Sequence, residues 1–388
     1  MKRITVLGNN SGRNAGDAAI LGNLLADISS EISNLEFRVP TTNPGFIKRH
    51  FGQFNVRSVP LLPWYGCVKN FGVPLFRSML NTDLILICDN ILFDRKFYNP
   101  IFNNLSSISL VAPFCKAKGI PIVHYNCSVG PIDFGIGKRA LQKVLDASSL
   151  VITRDEQTKG LFDDLNLVYP EIIVHADCAL NTKPASEARL SQIIQGEGLF
   201  QNPNGTIGFN VNAYMDNWSM RGTLSQDEFC KTIAGAVDRV IETLGVNVVF
   251  FVTQVMDLKN TKACVHHVKN KKCVHIISNV TYTYEEITGL LGRVEVHAGL
   301  RTHTLIFAAA MNTPVIGVLS YPKSNGFLQT IGQEQWVVPF ECFSAEYLAS
   351  VIEKVWEKKQ EIRGHLGPIV DEEKKKARAS AKLLKRFL

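Results

Sequence analysis

Leu300-Arg301-Thr302-His303-Thr304-Leu305-Ile306-Phe307-Ala308-Ala309-Ala310-Met311-Asn312-Thr313-Pro314-Val315-Ile316-Gly317-Val318-Leu319-Ser320-Tyr321-Pro322-Lys323 holds a charged turn, an apolar helix, a strand and a second cation. An apolar helix followed within a few residues by an apolar, β-branched strand is the repeat unit of an α/β protein with a parallel sheet. Arg301 and His303 open the helix, where unpaired backbone N–H groups and the helix dipole favour anions. Lys323 follows the next strand and so returns to the carboxyl edge of the sheet, where such sheets bind ligands. Two cations and an imidazole at a helix start describe a site for a small, highly charged anion such as a phosphate or carboxylate.

The same alternation runs outward from this stretch. Apolar runs at Ile4–Gly8, Leu84–Cys88, Ile120–Tyr125, Leu150–Thr153 and Ile172–His175 punctuate the first half. Runs at Thr206–Asn210, Val246–Thr253, Val274–Ile277, Val294–His297 and Val315–Ser320 punctuate the second. Strands this apolar are covered by helices on both faces. Between Asn181 and Gly205 the composition shifts to Pro, Ser, Asn, Gln and Gly, as in a linker with a short helical piece inside. The expected fold class is α/β, with two Rossmann-like domains facing across a cleft. The expected domains are 1–180, a linker at 181–205, 206–370, and a C-terminal helix at 371–388 that crosses back to the first domain.

At 388 residues the chain is too long for one compact core. Hydrophobic residues make up 46% and charged residues 20%, which is ordinary for a globular protein. No apolar run reaches the roughly 18 residues of a membrane span. Met1-Lys2-Arg3 leads into a short strand rather than a secretory signal. Nine cysteines without Cys-x-x-Cys spacing point to a reduced cytoplasmic setting and no structural metal. Of the net charge of +7, residues 371–388 supply +4 through seven Lys/Arg against three Asp/Glu. The remainder is too weakly basic for a nucleic-acid partner. In that tail Ala377, Ala381, Leu384 and Leu388 recur at helical spacing. They make either a closing helix packed on the protein or an amphipathic contact at the membrane's inner face.

Other segments carry polar groups at strand ends. Gly8 to Leu21 is a glycine-rich strand-to-helix turn that matches neither the dinucleotide fingerprint nor a P-loop. Within it Asp17 is equally suited to capping the helix and to taking a proton from a hydroxyl. Arg154, in Thr153-Arg154-Asp155-Glu156, either points into the inter-domain crevice or pairs with its acidic neighbours. Asn126 and Ser128 follow a strand and make a structural turn or a ligand loop. His124 and His175, alone in apolar strands, are core residues, and His297 is a pocket-wall candidate.

Taken together these pieces resemble the polysaccharide pyruvyl transferase family. The similarity rests on Asn14-Ala15-Gly16-Asp17-Ala18-Ala19-Ile20-Leu21, Ser128-Val129-Gly130-Pro131-Ile132 and Arg154-Asp155-Glu156. It continues through Arg301/His303, Thr313–Ile316 and Tyr321-Pro322-Lys323. The family's glycine-rich turn is replaced by Ile87-Cys88-Asp89-Asn90-Ile91-Leu92-Phe93-Asp94, which reshapes the acceptor side. The resemblance implies a GT-B-like architecture, phosphoenolpyruvate as donor substrate with no cofactor or metal, and a glycan or lipid-linked sugar acceptor. Arg154, Arg301 and Lys323 would clamp the donor's anionic groups, and His303 would be the acid and Asp17 the base. Asn14, Asn126, Ser128 and Asp94 would complete the substrate contacts. A nucleotide-sugar glycosyltransferase shares the fold and the basic pocket and is the alternative, and a non-catalytic sugar-binding relative is a third possibility.

Overall fold

A computed structural model describes residues 1–213, 224–319 and 322–388, without the side chains of residues 322 and 323. Two compact units emerge. The first comprises Met1–Gly12, Asp17–Cys178 and Glu373–Leu388; the second comprises Arg13–Gly16 and Ala179–Glu372.

In the first unit, strands β1 (Lys2–Leu7), β2 (Leu35–Thr41) and β3 (Val56–Pro60) are followed by a small antiparallel hairpin, β4 (Cys67–Val68) and β5 (Phe71–Gly72). Then come β6 (Leu84–Ile87), β7 (Ile122–Cys127), β8 (Leu150–Thr153) and β9 (Ile172–Val174). The sheet order is β3-β2-β1-β6-β7-β8-β9, and every pairing is parallel. In the second unit, β10 (Thr206–Asn210), β11 (Asn247–Val252), β12 (Val274–Ser278), β13 (Val296–Gly299), β14 (Val315–Val318) and β15 (Val337–Val338) order as β12-β11-β10-β13-β14-β15. These pairings are parallel too. Setting the hairpin aside, both sheets run third-second-first-fourth-fifth-sixth, the doubly wound Rossmann order, and the first adds a seventh strand at its edge. The expected α/β class with two Rossmann-like halves is what the chain adopts.

Every residue of β6, β7, β10, β13 and β14 is buried, as a strand between two helical layers must be. In the first unit Ile85, Ile87, Ile122 and Val151 pack with Leu105, Ile108, Leu141 and Val144 of the covering helices. In the second, Phe209 and Phe250 of neighbouring strands meet at 5.6 Å, and Phe229 stacks on Phe343. Helices Gln226–Leu244 and Tyr284–Leu291 start in reciprocal capping boxes, Ser225 with Glu228 and Thr283 with Glu286. Those boxes answer backbone donors that would otherwise lack partners.

The expected linker differs from what is observed. The division falls between Cys178 and Ala179, and residues 181–205 belong to the second unit. Helix Glu187–Glu197 lies within them, capped by Ser186. Leu190 and Ile193 are buried, and Arg189 donates to Glu286 at 2.6 Å. The polar composition marks the solvent side of a packed helix, which composition alone does not separate from a tether.

At the C-terminus, Ala377, Ala381 and Leu384 are fully buried within the first unit. Ser380 Oγ donates to Asn126 Oδ1 at 2.5 Å and lies 2.7 Å from His175 Nδ1. Asn126 Nδ2 donates to the Ala377 carbonyl at 3.2 Å. The apolar face of the tail is thus covered by protein, as in a closing helix. No helix among the described residues is long and apolar enough to cross a membrane.

Each unit encloses one wholly buried histidine. Burial lowers His124 to about 4 and His297 to about 3. An unfolded histidine takes its proton near 6.5, so below that pH the unfolded chain binds more protons. Stability then falls with pH, by up to about 1.4 kcal/mol per pH unit per histidine. Urea midpoints should drop from pH 7 to pH 5.5, and less steeply in His297→Gln. An unchanged slope in that variant would mean that the imidazole is hydrated in the folded chain.

Candidate functional site

In the second sheet the strand order reverses between β10 and β13, and the polar groups gather at their carboxyl ends. Asn210 ends β10. Its Nδ2 donates to the Phe251 carbonyl at 2.8 Å, and its Oδ1 accepts from the Arg301 backbone N–H at 2.9 Å. Arg301 is the N-cap residue of helix Thr302–Ala310. Its Nε and Nη2 each donate at 2.8 Å to the two carboxylate oxygens of Asp257. Asp257 is completely buried and also accepts from the Ala213 N–H at 2.8 Å. A fork-on-fork pair of this kind fixes the plane of a guanidinium. Arg301 therefore stands at a helix N-terminus in a set orientation, where backbone dipoles and a cation favour the same sign of ligand.

His303 lies in the first turn of that helix, against the segment Arg13–Gly16. This segment is bonded into the second unit: Ala15 N–H donates to the Thr253 carbonyl at 2.7 Å and Val255 N–H to the Arg13 carbonyl at 3.1 Å. Asn279 Nδ2 donates to the Arg13 carbonyl at 3.0 Å. Asn14 Oδ1 accepts from the Gly16 N–H at 2.9 Å, so Asn14 caps the helix Ala15–Glu31. At Gly16 a Cβ would sit 2.2 Å from Cγ and Nδ1 of His303. The imidazole occupies the space that glycine leaves, and the two residues define one contact. On its other side the ring lies 6.4 Å from that of Phe307.

The corresponding edge of the first sheet is acidic. Asp17 is the third residue of its helix, not the cap, since Asn14 holds that role. Asp17 and Asp89 are both buried. With burial leading and the charges of Asp89 and Asp17 adding, the Cys88 thiol is pushed well up. Arg154 sits in a closed network. It is ion-paired to Asp177, and its Nε donates to Ser128 Oγ at 2.6 Å, which in turn donates to Asp155 Oδ2 at 2.5 Å. Burial opposes the guanidinium's charge, yet Asp177, Asp155 and Asp89 raise its pKa. The anion expected at Arg154 is thus already supplied by carboxylates of its own unit.

Three further candidates make contacts within the first unit. Asn126, in a left-handed conformation with φ 44°, bonds the C-terminal helix as described above. Ser128 relays between Arg154 and Asp155. Asp94 is buried, and its Oδ2 accepts from the N–H groups of Asp133 at 2.8 Å and Phe134 at 2.6 Å, at the start of helix Gly135–Ala147. A Cβ at Gly137 would lie 2.3 Å from Asp94 Cβ, so helix and carboxylate are fitted together. Lys323 lies in the first turn of helix Pro322–Thr330; its side chain, like Ser320 and Tyr321, falls outside the described residues. Asp257 and Asn210 went unanticipated. The one signal for Asp257 is an acid shortly after a strand, a position shared by many surface residues.

A family model described as polysaccharide pyruvyl transferase matches residues 14–322. Among curated proteins no match reaches significance. Among solved structures, the UDP-GlcNAc 2-epimerase from Neisseria meningitidis, bound to UDP-GlcNAc, is similar with a TM-score of 0.66 at 10% identity. That similarity covers 100% of this chain and 99% of the other. Anabaena Alr3699/HepE in complex with UDP is similar with a TM-score of 0.62 at 14% identity, covering 100% and 98%. At such identities the likeness shows the fold alone.

Removing one partner of a buried pair leaves an unanswered charge, which typically costs about 3–5 kcal/mol. Asp257→Ala should therefore lower the unfolding free energy by roughly that amount, with Asp257→Leu/Arg301→Met recovering most of it. A double-mutant cycle in urea measures the coupling. Additive effects would show that the pair does not hold Arg301.

Proposed function

Because the chain belongs to the polysaccharide pyruvyl transferase family, its match running from residue 14 to 322, we propose that it takes phosphoenolpyruvate as donor. In this reading it moves the pyruvyl group onto two hydroxyls of a sugar, in a cell-surface glycan or its precursor, as a ketal. The observation that carries the reading is Arg301 at a helix N-terminus, oriented by Asp257, with His303 two residues on and against Gly16. Phosphoenolpyruvate has a phosphate and a carboxylate, and an arginine fixed in plane suits either one.

The reaction needs a proton delivered to the methylene carbon, which makes C2 electrophilic. One sugar hydroxyl attacks C2, the C–O bond to phosphate breaks, and a second hydroxyl closes the ketal. Of the two hydroxyl protons released, one balances the new methyl group and the other leaves with phosphate. His303 is assigned the proton donor, histidine being the side chain suited to proton transfer near neutral pH. Asp17 is assigned the base that receives a hydroxyl proton. Lys323 completes the donor's charge balance from the next helix start.

A second reading uses a nucleotide-sugar donor at the same basic site. The similar structures favour it to the extent that they hold UDP or UDP-GlcNAc. Mass spectrometry of a glycoside panel, with phosphoenolpyruvate and nucleotide sugars offered in parallel, separates the two. Pyruvyl ketal formation with stoichiometric phosphate release supports the first; glycosyl transfer with nucleotide release overturns it. In the pyruvyl assay, His303→Ala should cut turnover by about 10²–10⁴-fold with a smaller change in donor KM. Arg301→Ala should act mainly on donor binding. Gly16→Ala displaces the imidazole and should resemble His303→Ala in turnover; normal activity in both variants removes His303 from the mechanism.

A further inference from the structure

The first unit carries an aromatic surface that the proposed reaction does not use. Trp64 is 75% exposed and Tyr98 is 82% exposed, and Tyr65, Val68, Phe71 and Phe102 each leave about half of their surface in water. Large apolar side chains exposed together mark a contact surface, whereas scattered ones are ordinary. These come from two stretches, the β4–β5 hairpin with its approach and the loop after Asp94. The stretches are joined by a hydrogen bond from the Asn70 N–H to the Pro100 carbonyl at 3.1 Å.

The surface is built on a fixed base. Cys67 and Leu75 are buried in the core of the unit. Asn103, fully buried, donates to the carbonyls of Phe93 and Arg95 at 2.8 and 3.1 Å. The Phe71 ring meets Phe76 edge-on at 5.2 Å. The aromatic groups are held outward by a buried framework.

Positive charge predominates around them, with Asp133 paired to Arg95 at 3.7 Å. Residues 61–82 contain no Asp or Glu and include Lys69 and Arg77; residues 95–132 contain none either and include Arg95, Lys96, Lys116 and Lys118. Lys96 Nζ lies over the Phe102 ring, 4.5 Å from its centroid, a cation–π contact that holds the ammonium beside the aromatic face. Tryptophan and tyrosine prefer the water–lipid interface, and lysine and arginine beside them are drawn to anionic headgroups. We propose that this face is a peripheral docking surface for an anionic lipid bilayer. The C-terminal helix, whose apolar side is buried, is not required for it. The inference does not depend on the reaction proposed above.

Full-length protein is sedimented with vesicles of phosphatidylcholine alone and with added phosphatidylglycerol. Binding should require the anionic lipid. It should fall at least about tenfold in Trp64→Ser/Tyr98→Ser and in Lys69→Glu/Lys96→Glu, with a melting temperature near that of the parent in the aromatic variant because Trp64 and Tyr98 are exposed. Brominated lipid should quench tryptophan fluorescence in the parent but not in Trp64→Phe, a readout that holds even if a double variant folds poorly. The proposal is overturned if the parent ignores anionic vesicles or if the variants bind as the parent does. It is equally overturned if the aromatic variant abolishes a dimer seen by sedimentation equilibrium, or if the face retains single-stranded RNA in preference to vesicles.

Discussion

A charge taken out of water must be answered within a few ångströms, and in this protein buried carboxylates answer two arginines in this way. Asp257 holds Arg301 in the second unit and Asp177 holds Arg154 in the first. The two pairs differ in consequence. Arg154 is ringed by Asp177, Asp155 and Asp89 and by a serine that bridges to one of them. Arg301 is forked on Asp257, and it stands at a helix N-terminus whose backbone already favours a negative ligand. The same residue type thus sits among several acids in one sheet and at a helix start in the other.

The matching strand orders sharpen this contrast. Both sheets reverse direction beside their first strand, so both place loops at the equivalent carboxyl edge. One edge gathers acids, Asp17 and Asp89 among them, and the other gathers Arg301, His303 and the donors of a helix start.

How much of this was legible in the chain depends on how far each partner lies along it. The strands could be read because a strand buried on both faces must be apolar throughout, and Leu84–Ile87 or Val315–Val318 says so in four residues. Arg301 and His303 were legible because a helix start is a local object. Asn126 was not: its partners, Ala377 and Ser380, lie 251 and 254 residues away, and nothing in Tyr125-Asn126-Cys127 distinguishes a ligand loop from a clamp on a distant helix. The contacts of Asp94 were hidden for the same reason, its amide partners being 39 and 40 residues on. Asp257 was silent because an acid in a first helical turn is commonplace, and only the fold brings Arg301 to it.

The chain enters each unit more than once, and this bears on the order in which the protein is made. Domains generally fold as units while the chain emerges, the N-terminal one first. Here the N-terminal sheet lacks the helix that bonds Asn126 and His175 until Glu373–Leu388 has been synthesised, when every strand of the second sheet has already been made. The first half of the chain therefore encodes a unit that is completed only after the second has been made, and the polar cluster beneath its closing helix stays open to water until then.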